Sequence, residues 1–225
     1  MGLVSGRFGY SVRTSSAMAM VGSSIPSLLV MISPRRFRYQ GLKSLDMIDR
    51  TIKRSLGQMM SGVQVVGAAH GGEARLYTSH WVTQVSFEEP VIMASVSPKH
   101  DTHPLMVASG VFGVSILAAD QIVEGQYFSY PGRKFNHVAV EYVELVDGVP
   151  YVPNSIAHLR CEVFERKPMR DHELFFAEVT ATREGRLGEP PLLYSSRLGW
   201  RATGESAREK GRSIRDELLA RLPGD

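Results

Sequence analysis

Two short runs of almost uninterrupted apolar residues set the strongest limit on the fold. Val91–Val96 follows Pro90, and residues 111–117 repeat the pattern after a short helical stretch at residues 104–109. Runs of this length that are rich in β-branched residues are typical of strands buried on both faces. The chain is therefore expected to build its core on a buried sheet.

A hairpin is predicted before these runs. Residues 63–69 have the composition of a strand, and residues 75–85 are expected to form its extended return. Gly71 and Gly72 lie between them and supply the backbone freedom that a tight turn needs.

Two more strands are predicted in the second half of the chain. Leu159, Cys161 and Val163 alternate with charged residues, and residues 174–182 are rich in aromatic and β-branched side chains. Cys161 is read as core packing rather than as a nucleophile. Six or seven short strands without βαβ alternation predict a mainly β, closed or nearly closed barrel with peripheral helices.

The two ends of the chain are expected to differ from this central part. Residues 1–44 have the composition of a disordered or targeting extension, and the folded domain, residues 45–202, is expected to open with a helix capped by Ser44. Residues 203–225 predict a C-terminal helix. Its narrow apolar stripe suits packing on the barrel or on a partner subunit: Ile214, Leu218, Leu219, Leu222.

Charge and cysteine content exclude several classes of function. The net charge of +3 arises from six bases and no acid in residues 1–45, whereas the rest of the chain carries 20 bases and 23 acids, which argues against a nucleic-acid groove. Residues 23–33 are too short an apolar stretch to cross a membrane. The single cysteine excludes an internal disulfide framework, so a cytoplasmic setting is expected. The histidines show no metal-ligand spacing, so no metal site is expected.

A polar strand precedes the first apolar run and is the first candidate binding element. Hydroxyl, amide and ring groups crowd it where a core-covering strand would be apolar: Thr78, Ser79, His80, Trp81, Thr83, Gln84. Such groups suit the polar edge of a planar ligand such as an isoalloxazine ring. A solvated edge strand explains the same polarity, so this segment alone leaves both interpretations open.

The second candidate element lies where the first apolar run ends. Ser95, Val96, Ser97 and Lys99 lead into a helix start that contains Thr102 and His103. A helix start presents unpaired N–H groups and partial positive charge, which suits a phosphate, with Lys99 as a counter-charge. Taken separately, Thr102 also fits an ordinary helix cap and Lys99 an ordinary surface lysine.

Together, these segments resemble the flavin reductase family. The polar strand, the Pro90-initiated strand, Thr102-His103 and Ser109-Gly110-Val111-Phe112 follow in the family's order, and the resemblance extends over roughly residues 47–200. It implies an FMN-binding split β-barrel of the Greek-key type, a homodimer, and reduction of flavin by NADH or NADPH. It also places residues 78–84 along the isoalloxazine and ribityl, and residues 95–99 with Thr102 and His103 near the ribityl phosphate.

The resemblance also implies a role for His172. Asp171-His172 matches the family's Asp-His pair, whose histidine lies near the flavin and the nicotinamide site; a simple turn histidine is the alternative. If both residues are extended, their side chains point to opposite faces, and Asp171 is then not expected to orient His172 directly. Four aromatic side chains are candidates either for shielding the flavin or for the core: Phe128, Phe135, Tyr194, Trp200.

The sequence departs from the family's pattern in the polar strand. Many relatives have Ala-Asn-Ser-Phe-Thr-Ser where this chain has residues 79–84, and Ala177 stands where a glycine is common. The leading hypothesis is an NAD(P)H-dependent FMN reductase, with a monooxygenase as a candidate recipient of the reduced flavin. An FMN-holding electron-transfer protein is the alternative, and an oxidase of a small amine is the third. No Gly-rich fingerprint follows a predicted strand, so any nicotinamide must bind without a Rossmann domain.

Overall fold

The computed structural model describes residues 50–130, 139–202 and 214–222, and strands dominate them. The strands are Ser61–Gly62 (β1), Gln64–His70 (β2), Glu73–Ser79 (β3), Val82–Gln84 (β4), Val91–Val96 (β5), Val111–Ile116 (β6), Glu144–Val146 (β7), Val149–Tyr151 (β8), Ala157–Met169 (β9), His172–Glu184 (β10), Leu193–Ser195 (β11) and Gly199–Arg201 (β12). The helices are Arg50–Leu56 (α1), Thr102–Ser109 (α2), Ile122–Tyr127 (α3) and Ile214–Ala220 (α4), with a 3₁₀ turn at Val140–Tyr142.

One curled sheet of seven strands forms the centre of the fold. Its order is β3-β2-β6-β9-β10-β5-β4, and every neighbouring pair is antiparallel. Strands β5 and β6 follow each other in the chain but lie apart in the sheet, with β9 and β10 between them. This order confirms the mainly β prediction and its strands at Val91–Val96 and Val111–Ile116.

The predicted first hairpin is confirmed, but its return strand is shorter than expected. β2 and β3 pair from Gln64↔Ser79 to His70↔Glu73, and Gly71 and Gly72 turn the chain at φ angles of 60° and 84°. The expectation of one continuous strand to Val85 is wrong. The chain turns after Ser79, and β4 pairs with β5 at the opposite edge of the sheet.

A long hairpin forms the middle of the sheet. β9 and β10 are 13 residues each and pair up to Met169↔His172, where Arg170 takes a positive φ of 57° in the two-residue turn. Register shifts at two points bend the hairpin. Its inner part is buried in the sheet, while the part near the turn extends into solvent.

Two apolar clusters stabilise the sheet. The first lies beneath α2 and contains Met106, Phe112, Cys161 and Phe175, all fully buried. Burial raises the pKa of the Cys161 thiol to about 12, in accord with its predicted role as core packing. The second lies beneath α3, α4 and the β11–β12 hairpin, and includes Leu117, Tyr127, Val152 and Leu192.

The terminal helices differ in how they pack. Ile214 and Leu218 of α4 are buried in the second cluster, so the predicted C-terminal stripe packs on the chain's own core. By contrast, α1 buries none of its residues and ends at Leu56, earlier than the sequence pattern suggested. The predicted cap at Ser44, and the extension at residues 1–44, lie outside the described residues. No helix in the described ranges is long and apolar enough to cross a membrane.

The small β7–β8 hairpin packs closely on the sheet because two glycines face it. A Cβ atom on Gly67 would lie 2.3 Å from the carbonyl oxygen of Pro150, and one on Gly113 would lie 2.5 Å from the ring of Tyr151. His158 then ties this hairpin to the centre of the sheet. Its Nε2 lies 2.7 Å from the carbonyl oxygen of Val152, its Nδ1 accepts from Arg183, and its ring lies 4.9 Å from that of Tyr151.

The charges around His158 make it a pH-sensitive part of the fold. Arg183 bonds both His158 and Glu144, and burial is the main cause that lowers the pKa of His158. The protonated imidazolium would have to present Nδ1–H to the Arg183 guanidinium. The folded state therefore favours the neutral ring.

We expect stability to fall at acidic pH. Burial lowers the pKa of His80, His100 and His158, so the unfolded chain binds protons at these positions before the folded chain does. Stability is complete above about pH 6.5 and declines as the pH falls from there toward the folded-state pKa values. Urea unfolding across this range should show a shallower decline for His158→Gln than for the parent chain, and His70→Gln, at the exposed end of β2, is the matched control. An unchanged slope in His158→Gln would contradict this assignment.

Candidate functional site

The turn between β3 and β4 divides the predicted polar residues between the two edge strands of the sheet. The hydroxyl oxygen of Ser79 accepts a bond of 3.1 Å from the backbone N–H of Trp81, which holds the turn, and the Ser79 side chain is buried. Thr78 donates its hydroxyl to the carbonyl of Gly125 at 2.7 Å. The predicted segment is therefore a corner rather than a flat strand.

A cavity of about 240 Å³ opens at this corner. The residues that line it carry hydroxyl, imidazole and aromatic groups: Val63, Thr78, His80, His100, Phe128, Ser129, Tyr194, Trp200. Three of the four aromatic candidates thus lie at the cavity, although each also contributes to the second apolar cluster. Phe135 lies outside the described residues.

A row of five rings leads from this cavity to the tip of the long hairpin. The ring centroids are 5.1 Å apart for Trp200 and Tyr194, 5.0 Å for Tyr194 and His80, 5.3 Å for His80 and Trp81, and 4.9 Å for Trp81 and His172. Each separation falls in the range of favourable ring contacts. The row joins residues from β10, β11, β12 and the β3–β4 corner into one aromatic surface.

The edge of the sheet next to this row carries more of the predicted residues. Thr83 pairs with Met93 and Ser95 with Leu174, and all four lie on the face opposite the buried Ala94 and Phe175. Gln84 is exposed and donates its amide to the carbonyl of Ser86. The side chain of Val96 points into the core, so Val96 can face a ligand only through its backbone.

The start of α2 has the polarity that a phosphate requires, and the alternative explanation of Thr102 as an ordinary helix cap does not hold. Asp101 holds the cap position without a side-chain cap bond, and the Thr102 side chain is buried as the first helical residue. The amides of His100 and His103 donate to Ser97 and His100, respectively. Among the described residues, the amides of Asp101 and Thr102 have no backbone acceptor, and Lys99 lies beside them in solvent.

His103 is engaged elsewhere. Its Nε2 lies 2.7 Å from Oε2 of Glu173, and its ring contacts Phe175 edge-on. Arg166 approaches the other carboxylate oxygen of Glu173, Oε1, at 3.8 Å. Both members of the His103–Glu173 pair are largely buried. This pairing ties α2 to β10 and leaves less of His103 for a ligand than the sequence suggested.

Asp171 and His172 are closer than expected. Nδ1 of His172 lies 3.2 Å from Oδ1 of Asp171, so the two side chains are in contact, and the condition under which Asp171 is not expected to orient His172 is not met. The reason is local geometry: Asp171 lies in the hairpin turn after Arg170 at positive φ, and it is not part of an extended strand. The contact with His172 lowers the pKa of the Asp171 carboxyl.

The cavity itself is uncharged near neutral pH. Burial lowers the pKa of His80, and burial followed by the nearby His172 lowers that of His100. The ring of His100 also stacks on that of Tyr77 at 4.6 Å. Sequence reasoning missed His100 and Ser129 as lining residues. The only available signal for His100 was its place between Lys99 and Thr102, and nothing in the sequence pointed to Ser129.

Comparison with known proteins identifies the family to which the chain belongs. Residues 56–198, more than half of the chain, match the family described as the flavin reductase like domain. The chain belongs to the flavin reductase-like family. This confirms the resemblance read from the ordered motifs.

Several relatives of this flavin reductase-like chain have described activities. A protein of Rhodococcus opacus named as the reductase component of 4-nitrophenol 4-monooxygenase/4-nitrocatechol 2-monooxygenase is 31% identical over 64% of this chain and 76% of its own length. The reductase component of 4-hydroxyphenylacetate 3-monooxygenase from Thermus thermophilus is 32% identical, over 64% and 91%. An NADH-dependent flavin reductase of Pseudomonas fluorescens is 28% identical, over 68% and 91%.

Solved structures confirm the fold. The NADH:FAD oxidoreductase of Streptomyces globisporus superposes with a TM-score of 0.63 at 25% identity, over 72% of this chain and 98% of that one. The flavin reductase of the styrene monooxygenase of Pseudomonas putida gives a TM-score of 0.59 at 25% identity, over 67% and 95%. The predicted split β-barrel is therefore correct.

The different surroundings of His103 and His172 predict different effects on stability. We expect His103→Gln to lower the free energy of unfolding by about 1 to 2 kcal/mol, because it breaks a largely buried side-chain hydrogen bond to Glu173. The matched change His172→Gln should alter it by less than about 0.5 kcal/mol, because the partner Asp171 is exposed. Urea denaturation of both variants measures the difference. Equal losses would show that the buried pair is not a specific support of α2.

Proposed function

We propose that this chain is an NAD(P)H-dependent flavin reductase that binds FMN and transfers a hydride from NADH or NADPH to flavin. The observation that carries the proposal is the ring row that runs from the cavity to His172, in a chain of the flavin reductase-like family. Relatives named as NADH-dependent flavin reductases support the donor and the reaction class.

The residues of the cavity suit part of a flavin. Aromatic walls from Phe128, Tyr194 and Trp200 fit the faces of a planar ring, and the hydroxyl and imidazole groups of Thr78, Ser129 and His80 fit its polar edge. At about 240 Å³, the cavity is smaller than the roughly 300 to 1,000 Å³ of a pocket that encloses a whole drug-sized ligand. The remainder of the flavin would therefore lie along the open edge formed by Trp81, Thr83 and Ser95.

We assign the flavin phosphate to the start of α2. The unsatisfied amides of Asp101 and Thr102 and the exposed ammonium of Lys99 provide donors and positive charge at one point. Ser95, Val96 and Ser97 would contact the ribityl chain from the preceding strand. Among the proposed binding residues, Ser79, Thr102 and His103 would act mainly by shaping this surface, because their side chains are buried or paired.

The chain's own part in the reaction is positioning. FMN, when bound, supplies the ring that accepts the hydride, so the protein needs no nucleophile. Trp81 and His80 would limit the space in which a nicotinamide can stack, and His172 is the proposed catalytic group at the open end of the ring row. Asp171, through its contact with Nδ1, would hold the imidazole of His172 in place.

A protein partner completes the proposal. Two relatives are named as reductase components of monooxygenases, and we propose that this chain likewise supplies reduced flavin to a monooxygenase, in the cytoplasm. A homodimer is the second part of this proposal. Phe87 is 91% exposed and Trp81 51%, and Phe164 and Met169 extend the exposed apolar surface along the long hairpin, so a second subunit would bury costly surface.

Absorbance spectroscopy tests the proposed activity. The purified protein is mixed with FMN, desalted, and then given NADH or NADPH under anaerobic conditions. We expect flavin bands near roughly 370 and 450 nm that bleach rapidly on addition of the nicotinamide. A retained flavin that stays oxidised would instead indicate an electron-transfer protein. No retention and no turnover with excess FMN would refute both.

The phosphate assignment makes a sharper prediction. Lys99→Ala should weaken FMN binding by about 1 to 2 kcal/mol, about five- to thirtyfold in Kd, through loss of a charge-assisted contact. Riboflavin, which lacks the phosphate, should bind the variant and the parent equally. Lys167→Ala removes an exposed lysine of β9 and serves as the matched control. If FMN titrations give equal Kd values for Lys99→Ala and the parent, Lys99 does not contact the phosphate.

A further inference from the structure

A second concave site lies between α1 and the β11–β12 turn. Its volume is about 280 Å³, and four of the six residues that line it are cationic: Arg50, Lys53, Arg54, Gly57, Ser196, Arg197. We call it the cationic groove. None of these residues lines the cavity at the β3–β4 corner.

The positive charges of the cationic groove are not compensated within the described part of the chain. No ion pair there involves Arg50, Lys53, Arg54 or Arg197, and α1 contains no acidic residue. Like charges three and four positions apart on one helix repel each other. An anion bound in the groove would relieve this repulsion.

The backbone fixes the cationic groove against the hairpin that also forms the cavity. The amide of Arg197 donates to the carbonyl of Gly57 at 3.2 Å, and β1 pairs with β11 through Ser61↔Tyr194. A Cβ atom on Gly57 would lie 2.8 Å from the hydroxyl oxygen of Ser196, so the absence of a side chain there permits the close approach. The groove is therefore built by two elements in direct contact.

One short hairpin connects the two sites. Tyr194 and Trp200 line the cavity, whereas Ser196 and Arg197, at the turn between them, line the cationic groove. Arg197 lies three residues after Tyr194, and only Ser195 between them belongs to the strand, so the two Cα atoms are separated by at most about 10 Å. A single molecule with a flat ring at one end and phosphates further along can therefore reach both sites.

We infer that the cationic groove binds the phosphate groups of an adenine dinucleotide whose other ring stacks at the cavity. The inference rests on the proposed flavin reductase activity, which supplies two such dinucleotides, NAD(P)H and FAD. Arginine favours phosphate because its planar fork donates two parallel hydrogen bonds. NADPH carries an additional 2′-phosphate, which the four cations would attract, so we expect the groove to bind NADPH more tightly than NADH.

The small size and concave shape of the groove favour a nucleotide over a protein surface. Small-molecule sites are concave, whereas docking to an acidic protein needs a much larger and flatter area. Leu56 and Leu198, which are adjacent in the chain to the lining residues Gly57 and Arg197, are exposed apolar side chains available to an adenine ring. The same four cations would attract an acidic partner protein, and the experiment separates the two.

The test compares charge removal with charge retention. The double variant Arg54→Gln/Arg197→Gln should raise the KM for NADPH by about tenfold or more and the KM for NADH by less, with kcat at saturating FMN unchanged. Arg54→Lys/Arg197→Lys keeps both charges and should recover most of the loss. Lys167→Gln, which lines neither site, is the matched control. Circular dichroism melts verify that each variant is folded.

Direct binding distinguishes the possible sources of the phosphate. Calorimetry of the parent and the Gln variant with ADP-ribose, FAD and FMN needs no turnover. Weaker binding of ADP-ribose together with raised KM values identifies the nicotinamide donor, and a loss confined to FAD relative to FMN identifies the flavin dinucleotide. Unchanged binding and unchanged KM values overturn the inference. This holds also if the Gln variant loses only the transfer of electrons to an acidic protein, because the groove would then bind that protein and not a dinucleotide. If the parent does not oxidise NAD(P)H, the proposed function fails, while ADP-ribose binding still tests the groove.

Discussion

The hydrogen bond from the backbone of Trp81 to the hydroxyl of Ser79 is the interaction on which the site depends. β3 ends there at one edge of the sheet and the chain continues to β4 at the other edge, so the two edges of the curled sheet approach each other at this corner. Thr78 and His80 consequently face the cavity, while Trp81 continues the ring row toward His172. A straight strand would have placed these residues at one edge, too far from β10 to act together.

The long β9–β10 hairpin is the second element that assembles the site. It pairs with β5 on one side and β6 on the other, so it carries His172 to the strand that leads into α2. The buried contact between His103 and Glu173 then fixes α2 to β10 one residue from His172. The same pair of elements, α2 and β10, therefore positions both the proposed phosphate donors and the imidazole of His172.

The sequence predicted the strands better than it predicted what the side chains do. Apolar runs identify β5 and β6 because buried strands require apolar residues. Paired glycines identify the first turn because its backbone angles favour glycine. The roles of Thr102, His103 and Asp171 could not be read in this way. Thr102 is buried by tertiary packing, His103 finds a partner 70 residues away, and Asp171 contacts His172 only because Arg170 turns the chain. His100 likewise lines the cavity because its ring stacks on Tyr77, which is distant in the chain.

The distribution of charge follows from the chemistry that the two sites would support. Inside the cavity, burial keeps the imidazoles of His80 and His100 neutral, so no fixed charge competes with the rings that stack there. None of the described residues that line the cavity is a lysine or an arginine. Lys99 precedes the lining residue His100 in the chain, and Arg197 of the cationic groove lies at the turn between Tyr194 and Trp200. A ligand with a neutral aromatic part and charged phosphates would be bound by both kinds of surface at once. This separation would allow a small barrel to hold two ring systems in contact.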